Sequence, residues 1–329
     1  MFHRIYDRIT LLLARPYVAG DSLDAGMNVA YELSRRGLFT TLDLLAEGID
    51  SKQLVDANRE MYRQMVLQCS SDSRFSSAEV RPTVSVKLSS FTLSPLDRGG
   101  DAAGSVEAIE ELAELARRSR VSLTIDMEDH HWTDFTLDVA LRLFREGFDV
   151  GTVLQSRLHR TEQDLLRVPE GMRIRTVIGI YPEKHDIALS NKIEMKEALL
   201  RQSLALLRRN AFVEFASHDL KYIRRFLEQI VLPQGIGPER FEIQMLYGVP
   251  RGAFLRQMVD GSTCGGIQPR VRLYVPFASD WAQAVAYCQR RLRSNPNLAF
   301  YVARNLVDGL IGRNAGLAQY GPPRNGSPQ

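Results

Sequence analysis

Three neighbouring stretches of the sequence decide the fold: TVSVKLS at 83–89, SVEAIEELAELARRS at 105–119 and SLTIDME at 122–128. The first and third are short apolar or β-branched runs, which is typical of strands. The second has apolar residues three and four positions apart, which is typical of an amphipathic helix. Strand, helix and strand in this order predict two parallel strands joined by a helical crossover.

The same unit recurs along most of the 329 residues. Amphipathic stretches such as LDVALRLFREG at 137–147 and MKEALLRQSLALLRRN at 195–210 separate further runs. Eight strand–helix units in about 250 residues predict an α/β fold, a closed (βα)8 or TIM-like barrel. The eight predicted strands are FTTLDLL at 39–45, TVSVKLS at 83–89, SLTIDME at 122–128, GTVLQS at 151–156, IRTVIGIY at 174–181, FVEFASH at 212–218, FEIQMLYG at 241–248 and RVRLYVP at 270–276.

Two segments fall outside the predicted barrel, which we assign to 38–313. Residues 1–37 are helical in pattern and are expected to cap the barrel, with GDSLDAGMNVAYELSRRG at 20–37 as a capped amphipathic helix. Residues 314–329 end in QYGPPRNGSPQ, which is rich in Pro, Gly, Ser and Asn and predicts a flexible tail.

Bulk properties exclude several classes of protein. The formal net charge is +3 and no long basic block occurs, so nucleic acid is not expected as a partner. The three cysteines form no CxxC pair, which favours a reducing, cytoplasmic compartment. No apolar run approaches the roughly 20 residues that span a bilayer. An apolar face is present in residues 1–18, MFHRIYDRITLLLARPYV. We expect it to belong to a capping helix; the alternative is a weak peripheral contact with a membrane surface or a partner.

Polar or ionisable side chains lie at or near the ends of most predicted strands. The C-terminal strand ends of a (βα)8 barrel converge on the active site, so these side chains predict a site at that end. They are Asp43, Lys87, Asp126, Glu128, Gln155, His218, Gln244 and Tyr274.

The helix predicted after the last strand, DWAQAVAYCQRRLRSNPNLAFYVARNL at 280–306, carries a candidate carboxylate clamp. Tyr287 lies three and four positions before Arg290 and Arg291, so the three share a helix face. Arginine pairs with both oxygens of a carboxylate. These residues alone are equally typical of a solvated basic face, and that interpretation is the simpler one.

Several of these motifs, in the same order, resemble those of the proline dehydrogenase family, over roughly 18–306. The resemblance implies an FAD-dependent enzyme that oxidises L-proline to 1-pyrroline-5-carboxylate and passes the electrons to a quinone or another acceptor. The motifs are VSVKLSS, LTIDMEDH, VGTVLQSRLHRT, FEIQMLYG, RLYVPFASDW and the helix at 280–306.

The resemblance also implies residue roles. Arg290 and Arg291 would hold the substrate carboxylate, with Lys87 beside it. Tyr274 and Leu246 would wall the substrate ring. Tyr287 would close over that ring. The residues implied in catalysis are Lys87, Asp126, Arg175 and Tyr274.

The implied cofactor site lies on the barrel itself. No GxGxxG fingerprint follows a first strand, so a Rossmann mode of FAD binding is not expected. Arg175 and Gln155 would hydrogen-bond the isoalloxazine, Tyr181 would pack near it, and others would contact the rest of the dinucleotide. The implied cofactor residues are Gln155, Arg175, Gly179, Tyr181, Lys192, Ser217, His218 and Gln244.

Three positions depart from the family pattern. Ile178 and Ile180 stand where the family usually has lysine and alanine, and Ser294 stands where it usually has glutamate. The lost cation and the lost anion are interpreted as an ion pair that disappeared as a unit, so restoring only the lysine at 178 is expected to destabilise the fold. Ile180 fills space beside the implied flavin.

Three alternatives stay open at this point. The first is a divergent flavoenzyme that oxidises another small cyclic or N-substituted amino acid. The second is a barrel aldolase with Lys87 as a Schiff-base nucleophile. The third is a ligand-binding barrel whose flavin site has decayed. Although His130 and His131 follow acidic residues, adjacent histidines in a loop rarely point at one ion, so no metal is expected.

Overall fold

The computed structural model describes residues 17–46, 48–279 and 316–323. It contains a closed barrel of eight parallel strands in sequential order, which confirms the predicted (βα)8 fold. The strands are β1 Phe39–Leu44, β2 Thr83–Val86, β3 Leu123–Ile125, β4 Val150–Gln155, β5 Arg173–Val177, β6 Phe212–Ala216, β7 Phe241–Leu246 and β8 Arg270–Phe277.

Helices connect the strands on the outside of the barrel. Helix α1 precedes β1, begins after the Ser22 cap and packs against β1 and β8. The described α-helices are α1 Leu23–Ser34, α2 Lys52–Ser71, α3 Ser105–Ser119, α4 His130–Arg145, α5 Thr161–Asp164, α6 Lys192–Arg208, α7 Leu220–Arg225 and α8 Gly252–Asp260.

The main apolar core lies between the helices and the outer face of the barrel. Helix α3 buries Ala108, Ile109 and Leu112 on one face, which are the three- and four-residue spacings of its sequence. On the strands, fully buried residues such as Val84 and Leu273 join the same core. The apolar periodicity therefore accounts for the core between the helices and the barrel. Because successive strand side chains point to opposite faces, the alternate strand positions point into the barrel interior.

The register brings the ends of distant segments together. Leu246 of β7 pairs with Tyr274 of β8, and Asp43 of β1 pairs with Ser85 of β2. Because all strands are parallel, their C-terminal ends form one rim, and the side chains predicted to act together lie at or just below it.

The described residues 316–323 of the predicted tail include an ordered element where composition predicts flexibility. Gly316–Tyr320 form a short 3-10 helix, and Tyr320 is only 2% exposed. The Tyr320 hydroxyl accepts the backbone N–H of Gly248 at 3.0 Å. The physical reason is that one large aromatic side chain finds a buried partner, although its neighbours are Pro, Gly and Asn.

The N-terminal stretch with the expected surface contact lies mostly outside the described residues, because description starts at residue 17. Within the described part of the chain, no helix combines the length and the apolar character needed to cross a membrane.

Candidate active site

The centre of the site is the carboxylate of Asp126, which directly follows β3. Its Oδ1 accepts hydrogen bonds from Arg175 at 2.6 Å and from Ser85 at 2.9 Å. Its Oδ2 accepts the Tyr274 hydroxyl at 2.6 Å and lies 3.7 Å from the Lys87 ammonium. One carboxylate thus receives side chains from three strands, β2, β5 and β8, and from Lys87, which follows β2. They meet at the end of the barrel where the strands terminate.

The Lys87 side chain is a cation. Its Nζ donates to Asp43 Oδ1 at 2.8 Å. Burial on its own lowers the pKa of a lysine, but the carboxylates of Asp43 and Asp126 raise the pKa of Lys87 well above its usual value. A Schiff-base nucleophile must be an uncharged amine, so the geometry argues against the aldolase alternative.

The two carboxylates beside Lys87, those of Asp43 and Asp126, have pKa values shifted in opposite directions. Burial raises the pKa of Asp43, although Lys87 opposes that effect. Burial acts the same way on Asp126, but Arg175 and Lys87 more than offset it and hold the pKa of Asp126 below its usual range. Asp126 is therefore the stable anion of the site.

Arg175 offers a donor for a ligand. Its Nε donates to Gln244 Oε1 at 2.6 Å, and its guanidinium lies 5.1 Å from the centroid of the Tyr274 ring. Its Nη2 is buried and has no hydrogen-bond partner among the described residues. Buried donors are nearly always satisfied, so this nitrogen indicates a place for a ligand acceptor or a water.

Below the rim, the barrel interior holds a layer of ion pairs that the sequence analysis missed. Arg173 pairs with Glu214 at 3.0 Å, and Arg272 pairs with Glu242 at 2.7 Å. Gln244 donates from Nε2 to both glutamates, at 2.8 Å and 2.6 Å. Both amide hydrogens of Gln244 are thus used within the barrel, so a contact with the dinucleotide would rely on Oε1 alone.

A sequence signal for this layer exists. In β5, β7 and β8 a charged residue stands two positions before a predicted site residue, which puts both on the same strand face. Among the described residues, four cations and four carboxylates form ion pairs in the barrel interior. They are Lys87, Arg173, Arg175 and Arg272, with Asp43, Asp126, Glu214 and Glu242.

A second polar cluster surrounds Gln155 at the end of β4. Gln155 Nε2 donates to the carbonyl of Glu128 at 2.8 Å, which fixes the amide orientation. Gly179 has a φ of +100°, and a Cβ there would lie 2.4 Å from Gln155 Oε1, so a side chain at 179 would collide with this amide. The Glu128 carboxylate accepts from Ser89 Oγ at 2.8 Å, and burial raises its pKa to about 7.

The other implied cofactor residues lie along the rim after β5 and β6. Ser217 and His218 directly follow β6 and are partly buried. Tyr181 lies in the loop after β5, where its carbonyl accepts a hydrogen bond from Arg157. Lys192 is the exposed first residue of α6. None of the hydrogen bonds described joins these four residues to Asp126.

An apolar wall borders the polar cluster. Leu246 and Val249 form a small buried group with Tyr17, and the partly buried Tyr274 packs against it. Tyr17 precedes the barrel and was not predicted as a site residue. It could not have been found from periodicity, because it lies outside the strands.

The predicted carboxylate clamp, Tyr287 with Arg290 and Arg291, lies outside the described residues, as does Ser294. Of the departures that are described, Ile178 is partly buried and packs against the main core. Ile180 is 39% exposed, so its side chain is largely accessible at the rim.

The sequence placed the histidine pair in a loop, but His130 and His131 are the first residues of α4, directly after its cap Asp129. Ligand atoms of Asp129, His130 and His131 lie within 4.8 Å of one another. Hydrogen bonds account for this arrangement: His130 Nδ1 lies 2.7 Å from Glu183 Oε2, and His131 Nδ1 lies 3.3 Å from Asp129.

Comparison with known proteins identifies the family. The family model described as proline dehydrogenase matches residues 27–176. The proline dehydrogenase of Deinococcus radiodurans is 32% identical over 300 residues, covering 90% of this chain and 91% of that protein. Proline dehydrogenase 2 of Bacillus subtilis is 29% identical over 286 residues, covering 86% of this chain and 87% of that protein.

Solved structures show the same fold. Proline utilization A from Bdellovibrio bacteriovorus, inactivated by N-propargylglycine, superposes with a TM-score of 0.74 at 20% identity, over 94% of this chain. The corresponding protein from Corynebacterium freiburgense gives 0.68 at 21% identity, over 98% of this chain. The chain spans about a third (34%) of the length of either structure. Together with the rim cluster around Asp126, the sequence relatives establish that this chain is an oxidoreductase of the proline dehydrogenase family.

Proposed function

We propose that this enzyme oxidises L-proline to 1-pyrroline-5-carboxylate with a barrel-bound FAD, and passes the electrons to a quinone or another acceptor. The observation that carries the proposal is the shared carboxylate of Asp126, on which Lys87, Arg175 and Tyr274 converge. These are the four residues to which the family resemblance assigns the chemistry, and they come from separate strands of a chain that belongs to the family.

The charge of the interior supports an anionic substrate group. The ion-paired cations and carboxylates among the described residues balance, so the clamp of Arg290 and Arg291 that the family resemblance implies would add positive charge that needs a partner. A substrate carboxylate would supply the missing negative charge, because buried charges need partners. The Lys87 cation would lie beside that carboxylate.

The residues present fit a flavin. The unpartnered Arg175 Nη2 is a donor, and the Gln155 amide is held in one orientation by the Glu128 carbonyl and kept clear by Gly179. A flavin ring edge offers alternating acceptors and donors of this kind. When bound, the flavin supplies the acceptor for a hydride from the carbon next to the proline nitrogen.

The protein's own groups would orient the substrate and exclude water. Asp126 fixes Arg175 and Tyr274 by short hydrogen bonds, so that neither needs to reorganise during the reaction. Burial raises the pKa of Tyr274 well above its usual value, so its hydroxyl stays neutral and donates. The wall of Leu246 and Tyr17 would keep water away from the ring carbon.

An anaerobic titration tests the proposal. Purified protein should show the visible flavin band, and L-proline should bleach it, with formation of one equivalent of the cyclic imine. Tetrahydrofuran-2-carboxylate serves as the control, because it has the ring and the carboxylate but no amine, and it should perturb the band without bleaching it.

The other outcomes discriminate between the alternatives. A yellow protein that proline does not bleach would contradict the proposal and favour a flavoenzyme for another cyclic or N-substituted amino acid. A colourless protein that borohydride traps on Lys87 with a carbonyl substrate would favour the aldolase. A flavin band that recovers more rapidly with added quinone than with oxygen would support the proposed acceptor.

A further inference from the structure

Residues 316–323, here called the C-terminal clasp, lie against the rim of the barrel. Arg36 Nε of the segment after α1 donates to the carbonyl of Gly321 at 2.8 Å, and Arg256 of α8 donates to the carbonyl of Gln319. Tyr320 is buried between these two contacts. The clasp is thus tied to the segment that follows α1 and to helix α8.

A buried hydrogen bond joins the clasp to the barrel just after the end of β7. The Tyr320 hydroxyl accepts the N–H of Gly248 at 3.0 Å, and the bond is buried. Gly248 has a φ of +82°, so the chain turns sharply there. Burial raises the pKa of Tyr320, so its hydroxyl stays neutral and its oxygen accepts this bond. The ring of Tyr320 also lies 6.1 Å from that of Tyr247.

The same turn carries the apolar wall. Leu246 lies two residues before Gly248, and Val249 lies one residue after it, and both pack with Tyr17 and Tyr274. The last bond between β7 and β8, from Tyr247 N to the Tyr274 carbonyl at 2.9 Å, precedes Gly248. Beyond that point the turn leaves the sheet, and the Tyr320 hydroxyl is a contact that fixes it from outside the barrel.

We propose that Tyr320 is a positioning residue, whose hydroxyl holds the Leu246–Val249 turn and thereby sets how tightly the apolar wall fits the substrate ring. This inference rests on the proposed function, because it takes the wall as the place of that ring. The apolar side chain of Leu246 has no group that could exchange a proton or a hydride with the substrate. It therefore contributes equally to binding of the ground state and the transition state, and its displacement raises KM and leaves kcat nearly unchanged.

Tyr320→Phe tests the inference, because it removes the hydroxyl and keeps the ring. Loss of one buried hydrogen bond is expected to raise KM for L-proline about fivefold or more, with kcat within about twofold of wild type. Hydrogen exchange measured by mass spectrometry should become faster in the peptide that covers 246–250. The matched control is Tyr222→Phe, which removes a hydroxyl that donates to Glu197 on the outer helices at 2.9 Å and should change neither quantity.

Arg36→Lys provides a second variant that leaves the turn and the tyrosine intact. It weakens the contact with Gly321, so a smaller shift of KM in the same direction is expected, with the same peptide exchanging faster. Tyr320→Phe with unchanged KM, or with unchanged exchange at 246–250, overturns the inference. If the wild type is not bleached by proline, the proposed function fails, and the exchange comparison alone then decides whether Tyr320 holds the turn.

Discussion

Two layers of the same barrel interior use similar residues in different ways. In the lower layer, Arg272 and Glu242 pair closely and both side chains are less than a tenth exposed. In the upper layer, Lys87 is 18% exposed and Arg175 keeps one nitrogen without a partner among the described residues. The difference teaches that closed ion pairs stabilise the barrel, whereas charges with unused hydrogen-bonding capacity mark the place where a ligand binds.

The largest expected effect lies in the lower layer. Arg272→Met leaves Glu242 without its cation, so the free energy of unfolding should fall by about 3–5 kcal/mol in urea denaturation. Arg201→Met is the control, because its pair with Glu162 at 3.2 Å is largely exposed and is worth less than about 1 kcal/mol. Equal losses in the two variants would contradict a structural role for the lower layer.

A new cation beside the rim should be less costly. Ile178→Lys places an ammonium where the side chain packs against the core, which should destabilise the fold by about 1–3 kcal/mol. Ile180→Lys is the matched control, because Ile180 is 39% exposed and should change stability by about 0.5 kcal/mol or less. A thermal melt with no difference between the two would refute the interpretation that the lysine was lost together with its partner.

In the upper layer the effect should appear in the kinetics. Tyr274→Phe removes the hydroxyl that donates to Asp126 at 2.6 Å and keeps the ring of the wall. We expect kcat/KM for L-proline to fall about tenfold, or roughly 1.4 kcal/mol, while the melting temperature changes little. An unchanged kcat/KM would mean that Asp126 needs no help from this hydroxyl.

A pH-dependent effect concerns Glu128, a rim carboxyl that has no ion-pair partner among the described residues. Burial raises the pKa of Glu128 to about 7 from 4.5, so its neutral form is favoured in the fold. That stabilisation is complete below pH 4.5 and is lost as the pH rises through 7. Glu128→Gln stays neutral, so it should melt a few degrees above wild type at pH near 8 and about equally at pH near 4.5. A difference that does not vary with pH would rule out this ionisation.

The sequence predicts the barrel and the rim well, because both rest on repeating patterns. Strands and amphipathic helices each have a characteristic spacing of apolar residues, which the sequence shows directly. Since the C-terminal ends of the barrel strands converge, Asp126 and Tyr274 could be expected to lie close together. The ion pairs of the lower layer were missed although a charged residue two positions before a site residue signals them, because a charged residue that alternates with apolar ones is equally compatible with a strand face in water. Tyr320 was missed because composition averages over a segment, whereas a single buried contact decides whether that segment is ordered.

The rate of flavin reduction by L-proline, measured by anaerobic stopped flow in wild type and in Lys87→Met, tests the central claim most directly. Lys87 is the rim cation that pairs with Asp43 and faces Asp126. We expect the variant to keep its flavin but to be reduced at least about 100-fold more slowly at equal proline concentration, because it lacks the charge beside the carboxylate. Equal reduction rates in the two proteins would contradict the assignment of the rim as the substrate site.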